Sequence, residues 1–452
     1  SKRSVMVLPL VDLCAKEVVS DHSSSPGWLG CVPRELYRPL LDAAFTNCRP
    51  LAVGELVQRW PERTLRVGGR RRQGQSPPNR LCVQALLLAV VRGLGVRRRM
   101  EMERRKESAA APVGGSAGEE SDHSEDTEVV VVHVRADLFV NARSWDRARA
   151  ALGTPGPLKL QCRYIRVEEL SVSSIRSLLD LLPRSCLMGV DIRYSCLGVA
   201  GLALLLPQLA AFPALSSLRL HYCNLDVRRD IAGQEGDTTF QDRGCVHILP
   251  KHSKRPVFLV VLSRSSLSQP LEVLELPYLS LTPADLAYLS CSPHASSLQQ
   301  LDLSENRLDE SAVPSLRQLL SRASGCLVHL SLSGCGLTNE LLAALLPSLA
   351  RCRSLKSLAL ALNPLHLAGL LELVRTAVGM ASLRQLLYPN PLEDYQPGLP
   401  PMPTSAQLLD WPLDELVAVH EATSLQLDRV VGESGRSDLF LTSDLLNYDK
   451  GC

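Results

Sequence analysis

The sequence predicts an α/β fold: a solenoid of strand–helix units of about 28 residues, in the horseshoe form of ribonuclease inhibitor, with an N-terminal helical module. One pattern supports this prediction. It consists of leucine, two residues, an aliphatic residue, one residue, another aliphatic residue, two residues, Asn or Cys, one residue and a last leucine. Copies begin at Leu187, Leu215, Leu271, Leu298, Leu327, Leu355 and Leu383, with separations of 28, 56, 27, 29, 28 and 28 residues. Pattern and period together are typical of leucine-rich repeats.

The two halves of each copy have different periodicities. The first half alternates between apolar and other residues, as in Leu327–Leu332, which indicates a strand. The second half, as in Glu340–Leu349, has apolar residues at helical spacing. One unit alone cannot bury both apolar faces, whereas stacked units enclose a continuous core. Such a stack favours a broad concave surface that binds another macromolecule over a closed reaction pocket.

The ninth position of the repeat requires a small polar side chain, because the chain turns there and leaves backbone groups without ladder partners. Asn306 and Asn363 can satisfy those groups, and Cys223 and Cys335 are weaker substitutes. We therefore expect these four residues to be structural turn residues rather than ligands or nucleophiles.

The separation of 56 residues between Leu215 and Leu271 is twice the usual period. It leaves room for one diverged unit, and Phe258–Leu262 is the segment that fits its strand. A polar stretch precedes that segment, so residues 226–262 are interpreted as an irregular excursion from the solenoid.

The remaining sequence divides by composition into segments on either side of the repeats. The expected organisation is an uncertain N-terminal segment at 1–32, a helical module at 33–96, a disordered linker at 97–128, an N-terminal cap of the solenoid at 129–186, repeats at 187–388 and a C-terminal cap at 389–452. The linker is rich in charge, Ala, Gly and Ser, which disfavours a packed core.

Overall composition disfavours nucleic acid and membranes as partners. The formal net charge is +2, from 49 basic and 47 acidic residues, so no electrostatic attraction to a polyanion is expected. No apolar run approaches the ~18 residues of a membrane span. The 14 cysteines include no Cys-x-x-Cys pair, which is typical of reduced thiols and favours a cytoplasmic protein.

Motifs for catalysis are missing from the sequence. It contains no Walker-type phosphate loop, no His-Glu-x-x-His and no Gly-x-Ser-x-Gly motif. The histidines and cysteines do not cluster at metal-ligand spacing. We therefore expect no enzyme activity, no catalytic residue, no metal and no cofactor.

Side chains that alternate with the inward leucines are expected on the concave face. The candidates for partner binding are Arg193, Tyr194, Arg219, His221, Tyr222, Glu275, Tyr278 and Asp302. Tyrosine and arginine are enriched in binding hot spots, which is the reason for choosing this strip. In later repeats the same positions carry small groups, such as Ser331 and Ala359. The alternative is that the tyrosine rings pack within the turns and the charges are merely solvated.

A second candidate site lies near the N-terminus. Residues 9–18 match an elongin-binding box, in which Pro, Leu10, Cys14 and Val18 follow one another at the required spacing. Such a box is a short helix whose Leu and Cys side chains enter a hydrophobic groove. The alternative is an ordinary apolar N-terminal helix.

Three stretches together resemble the PRAME family. They are Pro33–Phe45 with Val57–Pro61, the series of 28-residue repeats, and Tyr388–Tyr395 after the last repeat. The resemblance covers about residues 33–94 and 129–445, and the order of the motifs is more specific than any one of them. It departs from the family at the first 31 residues, at 97–128 and around 226–262.

The resemblance implies a non-enzymatic leucine-rich scaffold with one of two kinds of work. One is negative regulation of Toll-like-receptor and NF-κB signalling through binding of the IκB kinase complex. The other is substrate recognition in an elongin–cullin-RING ubiquitin ligase, which would use Leu10, Cys14 and Val18. Neither role follows from composition or spacing.

Overall fold

A computed structural model describes residues 10–20, 32–61, 64–67, 79–90, 131–153, 158–223, 267, 269–413 and 417–445. The chain forms two compact units, the first from Ser1–Ala136 with Thr154–Leu160 and the second from Asp137–Gly153 with Gln161–Cys452. The linker predicted at 97–128 and the excursion predicted at 226–262 lie outside the described residues.

Thirteen strands occur in the described residues: β1 (Thr64–Val67), β2 (Val131–Arg135), β3 (Leu138–Asn141), β4 (Leu158–Gln161), β5 (Tyr164–Glu168), β6 (Gly189–Arg193), β7 (Ser217–His221), β8 (Val273–Glu275), β9 (Gln300–Asp302), β10 (His329–Ser331), β11 (Ser357–Ala359), β12 (Gln385–Leu387) and β13 (Phe440–Thr442).

The α-helices of the same residues are α1 (Leu10–Ser20), α2 (Tyr37–Thr46), α3 (Pro50–Gln58), α4 (80–90), α5 (Trp145–Gly153), α6 (Val172–Leu181), α7 (Gly198–Ala210), α8 (Pro283–Cys291), α9 (Val313–Ala323), α10 (Asn339–Leu349), α11 (Leu367–Gly379), α12 (Ser405–Asp410) and α13 (Val417–Ser434). Short 3₁₀ turns occur at Arg34–Leu36, Pro293–Ser296, Glu310–Ala312 and Leu392–Asp394.

The first unit packs helices α1 to α4 around an apolar core that includes Leu41, Leu56 and Leu86. The sequence predicted only helices over 33–96, but β1 lies within this range. It pairs in parallel with β2, in a three-stranded sheet of order β1-β2-β4. The module is thus mixed α/β rather than purely helical. The sequence of 33–96 alone could not show this, because β2 and β4, the other strands of the sheet, follow residues 97–128 in the chain.

The second unit is a parallel sheet of ten strands in the order β3-β5-β6-β7-β8-β9-β10-β11-β12-β13. The apolar residues at the first, fourth and sixth positions are buried in the repeats from Leu187 to Leu355, for example Leu298, Leu301 and Leu303. Each fully buried leucine stabilises the fold by about 1.5–3 kcal/mol relative to exposure. The predicted leucine-rich-repeat solenoid is confirmed.

The solenoid begins earlier in the chain than the repeat pattern indicated. The sequence assigned residues 129–186, which begin with the β-branched run Val129–Val140, to an N-terminal cap. In the structure this run divides into β2, which belongs to the first unit, and β3, which joins the solenoid sheet. A further strand–helix repeat, β5 with α6, also precedes Leu187. It carries Cys162, Ile165 and Val167 at the leucine positions, so the leucine pattern does not reveal it.

The C-terminal residues extend the solenoid as well as covering it. Helix α13 packs against α11, and β13 pairs in parallel with β12. Arg436 fixes this end, because its guanidinium donates hydrogen bonds to the carbonyls of Val378, Met380 and Leu383 at 2.9, 2.9 and 2.6 Å.

Among the described residues, the strands of the second and third copies are direct neighbours in the sheet. Strand β7 pairs directly with β8, with Leu218 opposite Leu274 and Arg219 opposite Glu275. The expected diverged unit with a strand at Phe258–Leu262 is therefore wrong as a member of this sheet, since no position is left between β7 and β8. The segment itself lies outside the described residues.

Asparagine at the ninth position of a repeat forms hydrogen bonds with backbone groups of the turn that follows the strand. The Asn306 Oδ1 atom accepts hydrogen bonds from the N–H groups of Leu279 and Leu281 at 3.2 and 3.0 Å. Its Nδ2 atom donates to the carbonyls of Leu276 and Leu303 at 2.8 and 2.9 Å. One fully buried side chain thus links two consecutive repeats. Asn363 does the same two periods later in the sheet, where it bonds to Leu337 and Leu360.

Cysteine at this position makes fewer bonds. The Cys223 thiol donates to the carbonyl of Ile192 at 3.4 Å, and the Cys335 thiol donates to that of Leu303 at 3.2 Å. Burial raises the pKa of Cys223 to about 12, and it raises the pKa of Cys335 as well. Both thiols therefore stay protonated and unreactive at neutral pH.

We expect Asn306→Ala to lower the free energy of unfolding by about 1–3 kcal/mol, because it leaves buried backbone groups of two repeats without partners. Asn306→Cys should cost less, since a thiol can donate one hydrogen bond as Cys335 does. Urea unfolding followed by circular dichroism measures both. Equal urea unfolding midpoints for Asn306→Ala and the unmodified chain would show that the Asn306 side chain does not contribute this stability.

Candidate functional site

The concave face of strands β7 to β9 is centred on a buried carboxylate. Glu275 accepts hydrogen bonds from Arg219 Nε at 2.7 Å, from His221 Nε2 at 2.6 Å and from Gln300 Nε2 at 2.7 Å. Burial by itself raises the pKa of Glu275, but the hydrogen bond with His221 and the charge of Arg219 outweigh it, so the pKa is lowered overall. Glu275 is consequently ionised at neutral pH, and the charge of Arg219 balances it.

The remaining charges of the early strands are also paired along the same strand. Arg193 Nε lies 2.9 Å from Asp191 Oδ1, and Arg166 pairs with Glu168. Asp302 differs from these residues, since its carboxylate accepts a hydrogen bond from the Ser304 backbone at 2.9 Å and forms no ion pair with any other described residue. Burial raises the pKa of Asp302.

Three tyrosines form a continuous stack beside these charges. The ring centroids of Tyr194 and Tyr222 are 4.9 Å apart with an interplanar angle of 9°, and those of Tyr222 and Tyr278 are 4.7 Å apart at 27°. The side chains remain 51%, 45% and 47% exposed, respectively. Burial and the nearby Glu305 carboxylate raise the pKa of Tyr278 to about 12, so its hydroxyl is neutral. The rings therefore lie on the surface and are not packed inside the turns.

The backbone at the eighth position explains why the rings align. The tyrosines have φ values of 50°, 53° and 60°, in the left-handed region, and the equivalent Glu169 and Glu305 have 55° and 59°. The repeats that begin at Cys162 through Leu355 turn in the same way, so side chains at this position project in register, one strand spacing apart. The left-handed conformation costs about 1–2 kcal/mol for a residue with a Cβ, which Gly or Asn would largely avoid. Tyrosine stacking recovers only part of this cost, at about 0.5–1.5 kcal/mol per pair.

The concave face is closed in the last repeats. Ala359 and Ala361, expected from the sequence to lie on an open surface, are buried together with Leu387. Ala361 lines a cavity of about 130 Å³ whose other walls include Leu408 and Trp411 of the segment that follows the repeats.

The same segment reaches back to an earlier repeat, where Ser405 Oγ donates a hydrogen bond to Glu305 Oε2 at 2.5 Å. Its α12 therefore ends the open part of the face near β9. The tyrosine stack on β6 to β8 lies outside the closed part.

The structure brings some of the predicted residues together and separates others. Arg219, His221 and Glu275 meet in one network, and the three tyrosines meet in one stack. Arg193 instead pairs with Asp191 on its own strand. Sequence reasoning missed Gln300 as a third donor to Glu275. It also missed Glu169 and Glu305, which occupy the same repeat position as the three tyrosines, although the repeat pattern could have identified Glu305.

In the first unit, α1 contains the predicted elongin-box residues. Leu10 is 76% exposed and Val18 is 42% exposed, and Cys14 is exposed as well. Ala15 and Val19 are buried in the core that α1 shares with α2. Because residues four apart share one side of a helix, Leu10, Cys14 and Val18 line a surface that packing within the unit leaves open.

The described ranges lack both a metal-binding cluster and a membrane-spanning helix. No group of three or more His, Cys, Asp or Glu residues there is arranged to hold a metal ion. None of the helices in that part of the chain combines the length and apolarity required to cross a bilayer.

Comparison with known proteins gives matches to both units. The profile of the PRAME N-terminal domain matches residues 8–106, and that of the PRAME C-terminal domain matches residues 156–399. Leucine-rich repeat-containing protein 14 of Xenopus laevis is 33% identical over 96% of this chain and 97% of the relative. The Mus musculus protein of that name is 32% identical over the same shares. The Homo sapiens protein is 38% identical over 70% of this chain and 65% of the relative.

These matches agree with the architecture. The profiles span most of the solenoid and the helices that precede it, and leucine-rich solenoids present concave surfaces to protein partners. The resemblance inferred from the sequence is confirmed: the chain belongs to the PRAME family, with a protein-interaction role.

Proposed function

We propose that this protein is a non-enzymatic cytoplasmic adaptor that binds a protein partner through the open concave face of its early repeats. The observation that carries this proposal is the exposed stack of Tyr194, Tyr222 and Tyr278. Three large rings at a backbone position that favours Gly or Asn are not explained by the stability of the turn alone. Aromatic side chains that stay exposed yet ordered are typical of binding hot spots.

The paired charges beside the stack support the same role. Glu275 is held by three donors, so the surface around it is rigid before a partner arrives. A rigid surface loses little conformational entropy on binding, which favours affinity. The partner proposed from family membership is the IκB kinase complex, and the proposed consequence is negative regulation of Toll-like-receptor and NF-κB signalling.

We expect the triple variant Tyr194→Asn, Tyr222→Asn, Tyr278→Asn to bind IκB kinase at least about tenfold more weakly, as hot-spot truncation does. Asparagine tolerates the left-handed backbone, so relief of about 1–2 kcal/mol per residue opposes the lost stacking and the chain should stay folded. Co-precipitation and an NF-κB reporter assay measure the two effects.

The matched control is Phe440→Asn, which removes an aromatic ring that is 50% exposed on β13, far along the sheet from the tyrosine stack. It should leave both readouts unchanged. Normal capture of the kinase by the triple variant, with a normal melting temperature, would contradict binding through this face. If the unmodified chain does not capture the kinase, the proposal that IκB kinase is the partner is wrong.

A second function is favoured by the exposed side of α1. We propose as the alternative that Leu10, Cys14 and Val18 bind elongin, which would make the protein the substrate-recognition subunit of a cullin-RING ubiquitin ligase. The supporting observation is that burial of Ala15 and Val19 fixes the helix and leaves the three box residues accessible. The two functions use different units and do not exclude each other.

We expect Leu10→Ala combined with Cys14→Ala to remove elongin and cullin from material captured with the full chain, because both knobs of the helix are lost. Affinity purification followed by mass spectrometry measures this. Val11→Ala is the control, since Val11 is 49% exposed on the same helix but is not a box position. The alternative fails if elongin is missing from the unmodified sample, or if the double variant retains it.

A further inference from the structure

We infer that the column of Glu169, the three tyrosines and Glu305 binds an extended basic segment of a partner protein, with two cationic side chains about six residues apart. This inference rests on the proposed function and specifies the chemistry of the partner. It follows from the placement of charge along the column.

The two glutamates occupy the ends of the tyrosine stack. Glu169 follows β5 and Glu305 follows β9, and both have the left-handed backbone of the tyrosines between them. Tyr194 and Tyr278 each stack on Tyr222 with one ring face only. Their other faces lie at the two ends of the stack, on the sides nearest β5 and β9, the strands that Glu169 and Glu305 follow. A cation placed there is attracted by both the ring and the carboxylate.

Acidic groups on this surface exceed the basic groups that could neutralise them. The arginines of β5, β6 and β7 all pair with acidic partners, which are Glu168, Asp191 and Glu275. Among the described residues, no ion pair includes Glu169, Asp302 or Glu305. The open face therefore has three carboxylates for which a partner would have to supply the cations.

Burial raises the pKa of Asp302 and of Glu305. Neutral groups donate hydrogen bonds to both carboxylates. The Ser304 backbone N–H and hydroxyl donate to Asp302, and the Ser405 hydroxyl donates to Glu305. A hydroxyl lowers the cost of the buried charge but does not cancel it. An acidic or phosphorylated segment would be repelled by these carboxylates. Arg219 and His221 would not offset that repulsion, because Glu275 already engages them.

The length of the column sets the spacing of the cations. From Glu169 to Glu305 there are four strand spacings, or about 19 Å. An extended chain advances about 3.3 Å per residue, so side chains six residues apart are about 20 Å apart. The residues between them would lie along the exposed edges and hydroxyls of the tyrosines.

The test is fluorescence anisotropy with the full chain and three fluorescein-labelled peptides. The first is a heptapeptide with arginine at both ends and serine and threonine between. The second has glutamate at both ends, and the third has its two arginines three residues apart. The first peptide should bind at least about tenfold more tightly than the second, and measurably more tightly than the third.

Removal of the two end charges should abolish this preference. Glu169→Gln combined with Glu305→Gln keeps the shape of both side chains and should weaken the first peptide about tenfold. The control is Glu372→Gln combined with Glu433→Gln, which makes the same change in net charge on the exposed faces of α11 and α13. The control should bind the peptide as the unmodified chain does.

Three outcomes would overturn the inference: equal binding of the arginine and glutamate peptides, no saturable binding up to about 1 mM, or an unchanged preference in the glutamate variant. None of them depends on capture of IκB kinase. Capture that is lost in the tyrosine variant but kept in the glutamate variant would preserve the proposed function while rejecting a basic ligand. A clear arginine preference supports the inference whichever partner is captured.

Discussion

Every repeat must turn from strand to helix without leaving buried backbone groups unpaired, and this constraint organises the rest of the molecule. It places a left-handed residue at the eighth position of most repeats and a hydrogen-bonding Ser, Cys or Asn at the ninth position of five of them. The ninth position gives stability, because Asn306 and Asn363 each link two repeats through buried bonds. The eighth position gives function, because its side chains must project in one column at the spacing of the strands. The tyrosine stack is a consequence of that enforced alignment.

The site also depends on which strands are neighbours. Tyr222 and Tyr278 are 56 residues apart in the sequence, yet their rings stack because β7 and β8 pair directly. The same pairing puts Arg219 and His221 against Glu275. Had a repeat strand stood between them, Glu275 would have lost Arg219 and His221 as donors and the stack would have been broken. The direct pairing of β7 with β8 therefore creates the site.

Closure of the late repeats has the opposite effect on the concave face. Small side chains at Ala359 and Ala361 allow Leu408 and Trp411 to approach the sheet, and this end of the face is covered. The early repeats carry larger and charged groups at the equivalent positions. The chain thus divides one repeated surface into a covered part and an open part by the size of its side chains.

The sequence by itself determined the repeat, its period, the inward leucines and the turn role of Asn306, because these depend on residue types at fixed spacing within about 28 residues. It also indicated the concave positions and the tyrosines, which follow from alternation along a strand. It did not reveal the unit that begins at Cys162, since Ile and Val replace leucine there without loss of burial.

Only the tertiary structure decided how these residues combine. The adjacency of β7 and β8, the donation from Gln300 to Glu275 and the return of Ser405 to Glu305 join residues 25 to 100 positions apart. No local pattern encodes such contacts, because they depend on which units stack and on where the chain after the last repeat packs. Periodicity fixes the geometry of one unit, whereas the order and covering of the units fix the surface that a partner meets.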